Sequence, residues 1–395
     1  MIRVPRPAAP DPREAFSEDE IQVCTAYAKP RQRWGLAALA VRLGLLAALA
    51  ASEPGRRAVA WLVGLAGDAV PVRAGLTVAV VVAAEALVLL PFGLRAWRQD
   101  VRAGLSTQAL GGFLGDWAKA RAIGLVLTVL PLGALILAAR GRPPGYPLSA
   151  ALVAAALVVV VSLLGPVLLE PLFNRFTPLP AGPLRSRVLE MAAGMGVGVR
   201  DVLVADASRR TTKVNAYVSG LGRTRRVVLY DTMAERAGED EVVLVLAHEL
   251  AHVRHRDVTL GTAGGAVAAA AAVLAADRLL AVPALAGAFG VTGLGDPAAG
   301  ACLLLLAALA GLAGAPVANL VSRWSEARAD WTALEVARDP ETAVALERRL
   351  ALENRADLRP NSLLVALFWS HPPTMARIAQ ARLWAAVRRE GVVGH

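Results

Sequence analysis

Six stretches of the chain are apolar and nearly free of charge: residues 35–52, 74–94, 121–139, 149–169, 259–276 and 299–320. Each is close to the roughly 20 helical residues needed to cross a hydrocarbon core. The alternative is a very large soluble core in which all six helices are buried. Here the apolar fraction is 56% and the mean hydropathy is +0.50, both high for a soluble domain. The runs are rich in Ala, Leu and Val, which favours spanning helices over a large soluble core. A seventh apolar run, Ala58 to Ala66, is too short to span and is expected at the surface.

Charge sets the expected orientation. The net charge is +10, and 42 basic residues include only three lysines, Lys29, Lys119 and Lys213. That arginine bias, with abundant Ala, Gly and Pro, points to a GC-rich bacterial gene. A basic surplus can signal nucleic acid, but here it clusters beside the apolar runs: Lys29, Arg31 and Arg33; Arg95, Arg98, Arg102, Lys119 and Arg121; Arg323 and Arg328. This is the pattern of cytoplasmic loops in a membrane protein. It makes the bilayer the partner, argues against nucleic acid, and places both termini and the long loop on the cytoplasmic side of the cell membrane. Six spans satisfy this without contradiction. The first 30 residues lack the apolar core of a cleavable signal peptide, so the first span is expected to serve as the insertion signal. Cys24 and Cys302 make no disulfide or metal pattern, and Cys302 reads as a small buried hydrophobe. Glu85, inside the second span, points to a wet interior.

The expected organisation is a cytoplasmic tail (1–34), four spans (35–169), a cytoplasmic segment (170–258), two spans (259–320) and a cytoplasmic C-terminal segment (321–395). The tail is read as irregular apart from a short surface helix near Phe16 to Tyr27. In the long loop, Pro183 to Gly196 reads as a helix. Val202 to Ala205, Asn215 to Val218 and Arg226 to Tyr230 read as strands, being β-branched and bounded by Gly, Asp and Arg. Gly238-Glu239-Asp240-Glu241 then opens a helix whose acidic first turn suits the helix dipole.

That helix carries His248-Glu249-Leu250-Ala251-His252. Histidines four apart share one helical face, so both imidazoles can converge on one ion. Glu249 is placed to act as general base on a water at that ion. A catalytic zinc takes three protein ligands and keeps one position open, so a further ligand is expected downstream. Glu326, in Ser322-Arg323-Trp324-Ser325-Glu326-Ala327-Arg328-Ala329-Asp330, is the candidate. Asp330, one turn later, could accept the free N–H of a ligand histidine. A lone glutamate on a charged helix is ordinarily solvent-exposed; the histidine pair on the same membrane face reverses that expectation. His255 and Asp257 are read as continuing the histidine helix; His255, three residues past His252, is a rival ligand, with an interfacial or hydrogen-bonding role preferred, and the terminal His395 is read as irrelevant.

At this point the chain resembles the type I CAAX prenyl endopeptidases, integral-membrane zinc proteases with bacterial relatives. The resemblance covers about Leu90 to Arg382. It rests on Leu90-Pro91-Phe92, Gly104-Leu105-Ser106-Thr107-Gln108, the specific run Pro171-Leu172-Phe173-Asn174-Arg175-Phe176-Thr177-Pro178-Leu179-Pro180, and Ser208-Arg209-Arg210. It continues through Asn215-Ala216-Tyr217 with Gly220, Val228-Leu229-Tyr230-Asp231-Thr232, the histidine motif, the Glu326 segment, and Ser370-His371-Pro372-Pro373 with Arg377. The resemblance implies a helical barrel around an intramembrane chamber, with the site near its cytoplasmic end. It implies one Zn2+ per chain, held by His248, His252 and Glu326, with Glu249 as base. It also implies that the strand at Asn215 and Ala216 aligns an extended substrate, and that His371 and Arg377 act on the substrate or the reacting carbonyl. Eukaryotic members carry an additional N-terminal span.

The resulting expectation is an all-α polytopic membrane protein with a small α+β zincin-like cytoplasmic domain, hydrolysing peptide bonds of a protein substrate that is lipid-modified or membrane-bound. Two rivals are a membrane-protein quality-control protease using the same site and a non-catalytic chamber that binds lipidated peptides. A transporter fits the spans but not the zincin-like loop.

Overall fold

The structure is a computed structural model describing residues 7–143, 145–220 and 222–389; His395 lies outside the described residues. Helix α1 (Glu18–Ala51) opens on a capping box, in which Glu20 N donates to Ser17 Oγ at 3.3 Å and Ser17 N donates to Glu20 Oε2 at 2.8 Å. It then runs unbroken past Pro30. The boundary expected at residue 34 therefore falls inside one rod, because the polar first turns and the apolar later ones share the same helical hydrogen bonding. A short amphipathic helix α2 (Glu53–Gly64) follows, burying Val59 and Val63 and exposing Trp61. The next spans are α3 (Val70–Arg102), α4 (Leu110–Gly141) and α5 (Tyr146–Leu168).

After the one-turn helix α6 (Glu170–Phe173), the loop builds a four-stranded sheet from β1 (Phe176–Pro178), β2 (Asp201–Ala205), β3 (Ala216–Ser219) and β4 (Arg226–Tyr230), with α7 (Pro183–Gly194) and α8 (Asp231–Arg236) between and after them. The spatial order is β1-β2-β4-β3, with β2 and β4 parallel and both outer pairs antiparallel. The three expected strands are present. β1 was not anticipated, because Pro178 argues against a strand, and here it sits at an edge where proline is tolerated.

Helix α9 (Glu239–Arg254) carries the histidine motif. Helices α10 (Asp257–Leu280) and α12 (Gly300–Ala337) are the last two long apolar ones, joined through the short α11 (Pro283–Ala288). Helices α13 (Pro340–Glu353), α14 (Ser362–Phe368) and α15 (Thr374–Arg389) complete the chain. The histidine helix does not continue through Asp257 as expected. Arg256 adopts a left-handed conformation (φ 59°), which ends α9 and turns the chain into α10.

Six helices are long and apolar enough to span a membrane, matching the expected count. At most 22% of the apolar window of any of them is buried. So much exposed apolar surface needs lipid around it, and the protein is a multi-pass membrane protein. Neighbour contacts run α1 to α3, α3 to α4, α4 to α5, α5 to α10, α10 to α12 and α12 back to α1, closing a ring around an intramembrane interior. Arg42 of α1 and Glu85 of α3 pair at 2.8 Å, giving the in-span glutamate a partner. At one end α2, α11 and the start of α12 plug the ring around Leu46, Val78, Ile136 and Leu280. At the other end sits the sheet domain, its core formed by Val202, Val227, Leu229, Leu246 and Leu250 against Ala329 of α12.

Candidate metal centre and active site

Helix α9 lies between the sheet and α12. Leu246, Ala247, Leu250 and Ala251 are fully buried, and this fixes the rotation of the helix. His248, Glu249 and His252 are thereby turned toward α12 and the adjoining cavity. Its start is set by Glu241, whose carboxylate accepts from Gly238 N at 2.9 Å, and by the acidic first turn.

His248, His252 and Glu326 each offer one donor atom within 4.8 Å of the others. The two Nε2 atoms are 3.1 Å apart. Glu326 Oε2 is 3.3 Å from His248 Nε2, and Glu326 Oε1 is 3.5 Å from His252 Nε2. Edges of this size suit a tetrahedral ion with bonds of about 2.0–2.1 Å, whose edge is about 3.4 Å. The opposite ring nitrogens support the same reading. His252 Nδ1 faces Asp257 Oδ2 at 2.9 Å, so it carries the proton and leaves the Nε2 lone pair free. His248 Nδ1 is 2.8 Å from Asp330 Oδ1, at an angle too oblique for a good hydrogen bond. The two Nε2 atoms and the Glu326 carboxylate therefore face one point, where a single cation can be shared.

Charge makes the same argument. Glu249, Glu326, Asp330 and Glu347 line a cavity of about 210 Å³ with a single guanidinium, Arg377, among them. Burial opposes a charge on His248, but Asp330 and Glu326 outweigh it and push that ring up to about 10. A divalent cation would displace such a proton and offset the excess negative charge. Two imidazoles and a carboxylate with an open cavity beside them form a donor set suited to zinc.

Around this set, Glu249 is raised above the ordinary carboxylate range, first by burial. His371 Nδ1 is 2.9 Å from Glu326 Oε2 on a half-buried to exposed ring; this contact, and then Glu326's charge, raise it. Arg377 grips Asp330 through Nε (2.9 Å) and Nη2 (2.5 Å), and Glu347 through Nη1 (2.7 Å). Asn215 lines the same cavity at the start of β3. Ala216, next to it, is buried in the sheet core, and β3 pairs on one side only. His255 Nε2 lies 3.0 Å from Thr332 Oγ1, away from the cluster, in the hydrogen-bonding role expected of it. Two residues escaped the sequence reading. Asp257 follows the histidine motif closely enough to read as part of the same helix, and the turn at Arg256 is what returns it to His252. Glu347 sits in the charged run of α13, where sequence gives no sign that it is buried.

A ring of spanning helices capped by a small sheet, with a helix-borne histidine pair and a glutamate from the last span, defines a membrane protein carrying a metalloprotease-type site. The model of peptidase family M48 matches residues 178–385, more than half of the chain, and the chain belongs to that family. It is 33% identical over 218 residues to the uncharacterized metalloprotease YhfN of Bacillus subtilis, covering 55% of this chain and 51% of that one. It is 33% identical over 165 residues to a CAAX prenyl protease 1 homolog of Oryza sativa (41% of this chain, 39% of that one), and 41% identical over 88 residues to CAAX prenyl protease 1 of Saccharomyces cerevisiae (22% and 19%). The matches thus span about half the length of the Bacillus relative and less of the others. The crystal structure of S. mikatae Ste24p shares the fold, with a TM-score of 0.83 at 18% identity, covering 96% of this chain and 92% of that one.

Proposed function

We propose that the protein is a zinc-dependent endopeptidase that cleaves peptide bonds inside its membrane ring, at the cytoplasmic face of the cell membrane. The observation that carries this reading is the convergence of His248, His252 and Glu326 beside Glu249 in one cavity. When bound, zinc supplies a Lewis acid that polarises the scissile carbonyl and acidifies the attacking water.

This chain's residues do the rest. Glu249 takes a proton from the attacking water and returns it to the leaving amine; burial keeps its carboxyl basic enough for both steps. Asp257 holds the His252 ring by its Nδ1 side, Asp330 sets its negative charge 2.8 Å from His248 Nδ1, and Arg377 holds Asp330. His371, exposed at the rim, donates to the carbonyl oxygen as negative charge builds on it. The free edge of β3 offers backbone N–H and C=O groups to an extended peptide, starting at Asn215 and Ala216. The cluster of Arg31, Arg95, Arg98, Arg102 and Lys119 at this end supports a cytoplasmic site.

The substrate proposed is a membrane-bound or lipid-modified protein, in keeping with the ring of spans and with what the plant and yeast relatives are named for. Glu249→Gln should retain stoichiometric zinc and lose casein or peptide cleavage. Undiminished cleavage by metal-clean Glu249→Gln protein would refute the mechanism. Trapping proteomics with the same variant, set against wild type, separates a lipidated substrate class from misfolded membrane proteins.

A further inference from the structure

A second cavity, of about 170 Å³, lies at the plugged end of the ring, remote from the histidine cluster. Its floor is apolar, formed by Leu49, Val59, Val63, Ala301 and Cys302, and its polar members include Arg56, Arg73 and Thr77. The two arginines come from different helices, α2 and α3, and face one space.

Both have charge to spare. Arg56 uses one nitrogen, Nη1, on two backbone carbonyls, Ala51 O at 2.6 Å and Ala288 O at 3.2 Å. Its Nε and Nη2 have no acceptor among the described residues. Among the described residues the Arg73 guanidinium reaches only Asp68, at 3.5 Å, and the Asp68 side chain is 96% exposed, so water screens that pair. The Arg56 side chain is also held in place. Gly290 has a φ of +64°, and a Cβ there would stand 2.6 Å from Arg56 Nε and 3.2 Å from its Cζ, so the guanidinium lies close against a position that favours glycine.

The depth of the cavity is set by its neighbours. It lies where α1 ends and where α3 and α12 begin, and beside it α2 exposes Trp61 at 66% and the residue after the helix, Leu65, is 69% exposed. An amphipathic helix showing tryptophan outward belongs at the bilayer interface, the level of lipid headgroups. Planar guanidinium groups bind phosphate oxygens in pairs, and an apolar floor behind them suits the start of an acyl chain.

We propose that this cavity is a phospholipid site: Arg56 and Arg73 bind the phosphate of an anionic lipid headgroup, and the apolar floor takes its glycerol and first acyl carbons. The shared chemistry is a phosphate, so the test must tell lipid from free ion. Dihexanoyl phosphatidylglycerol is titrated into detergent-purified full-length protein, and adducts are counted by native mass spectrometry; a second series uses inorganic phosphate. Wild type should take one lipid. Arg56→Gln/Arg73→Gln should bind it at least tenfold more weakly, Arg56→Lys/Arg73→Lys should recover part of the loss, and casein cleavage should be unchanged. Should the double variant misfold, Arg73→Gln alone carries the test, because its one partner is exposed; at least a threefold loss is expected. Equal binding by the Gln variants, or competition by inorganic phosphate at the lipid's own concentration, would overturn the proposal. Failure here leaves the peptidase reading intact, since that site is at the other end of the ring.

Discussion

At the residue scale the site is a chain of dependencies. Glu326→Ala removes the one carboxylate donor from a donor set of three, and metal analysis of the purified variant should find clearly less than stoichiometric zinc. Asp257→Asn keeps the shape but weakens the hold on His252 Nδ1; an affinity loss of about 10–100-fold is expected from a competitive chelator titration. Arg377→Gln leaves Asp330 and Glu347 buried without their cation. That should cost about 3–5 kcal/mol, read as a large fall in the thermal unfolding midpoint in detergent. The histidine pair was legible in sequence because helix geometry alone brings residues four apart together, and Glu326 was legible because the chemistry required a third donor. Asp257 was not. Its approach depends on one left-handed residue, Arg256, and arginine gives no local sign of that conformation. Glu347 was hidden for a related reason: its burial is decided by α15, which brings Arg377 across to it.

At the scale of elements, the joint between α12 and α13 offers a separable test. Arg338 ends α12 with a φ of 56°, and Asp339 caps α13, accepting from Thr342 N at 2.9 Å and from Thr342 Oγ1 at 2.6 Å. Asp339→Ala should lower stability by about 0.5–2 kcal/mol. The Thr342 hydroxyl, then its N–H, hold the Asp339 carboxyl below its ordinary range. The folded form therefore prefers the charged carboxylate. The stabilisation is full above the unfolded value of about 3.9 and is lost as pH falls through the folded one. The wild-type advantage over Asp339→Ala should accordingly be present at pH 6 and shrink below pH 4. Strand and helix assignments in the loop were readable because β-branched runs and an acidic helix start are local signals. The merging of the supposed tail into α1 was not, because the partners of its first turns are distant in sequence: Ile21 and Cys24 pack on Leu358 and Ile378, and Lys29 pairs with Asp357.

At the scale of the whole molecule, the plugged end rests on two close approaches. A Cβ on Gly300 would come within 2.8 Å of Val78 Cγ2 and 3.1 Å of its backbone N, and one on Gly295 within 2.5 Å of Arg140 N. Gly300→Ala should cost about 1–3 kcal/mol by overpacking, seen as earlier unfolding in detergent with zinc content unchanged. The number of spans was plain from the sequence, since lipid demands long apolar runs. Their closure into a ring was not, because the α5 to α10 contact joins helices separated by the entire sheet domain.

The reach of α12, from the plugged end of the ring to Glu326, has a consequence for how the protein is made. The histidine helix leaves the ribosome before the last two spans exist, while the third donor arrives only at the far end of the final one, α12. A chain ended at residue 290 should therefore insert, keep both histidines, hold little zinc and cleave nothing. If the donor set works as proposed, the protease becomes competent only with the last act of its own insertion, and half-made copies spare the membrane in which they are assembled.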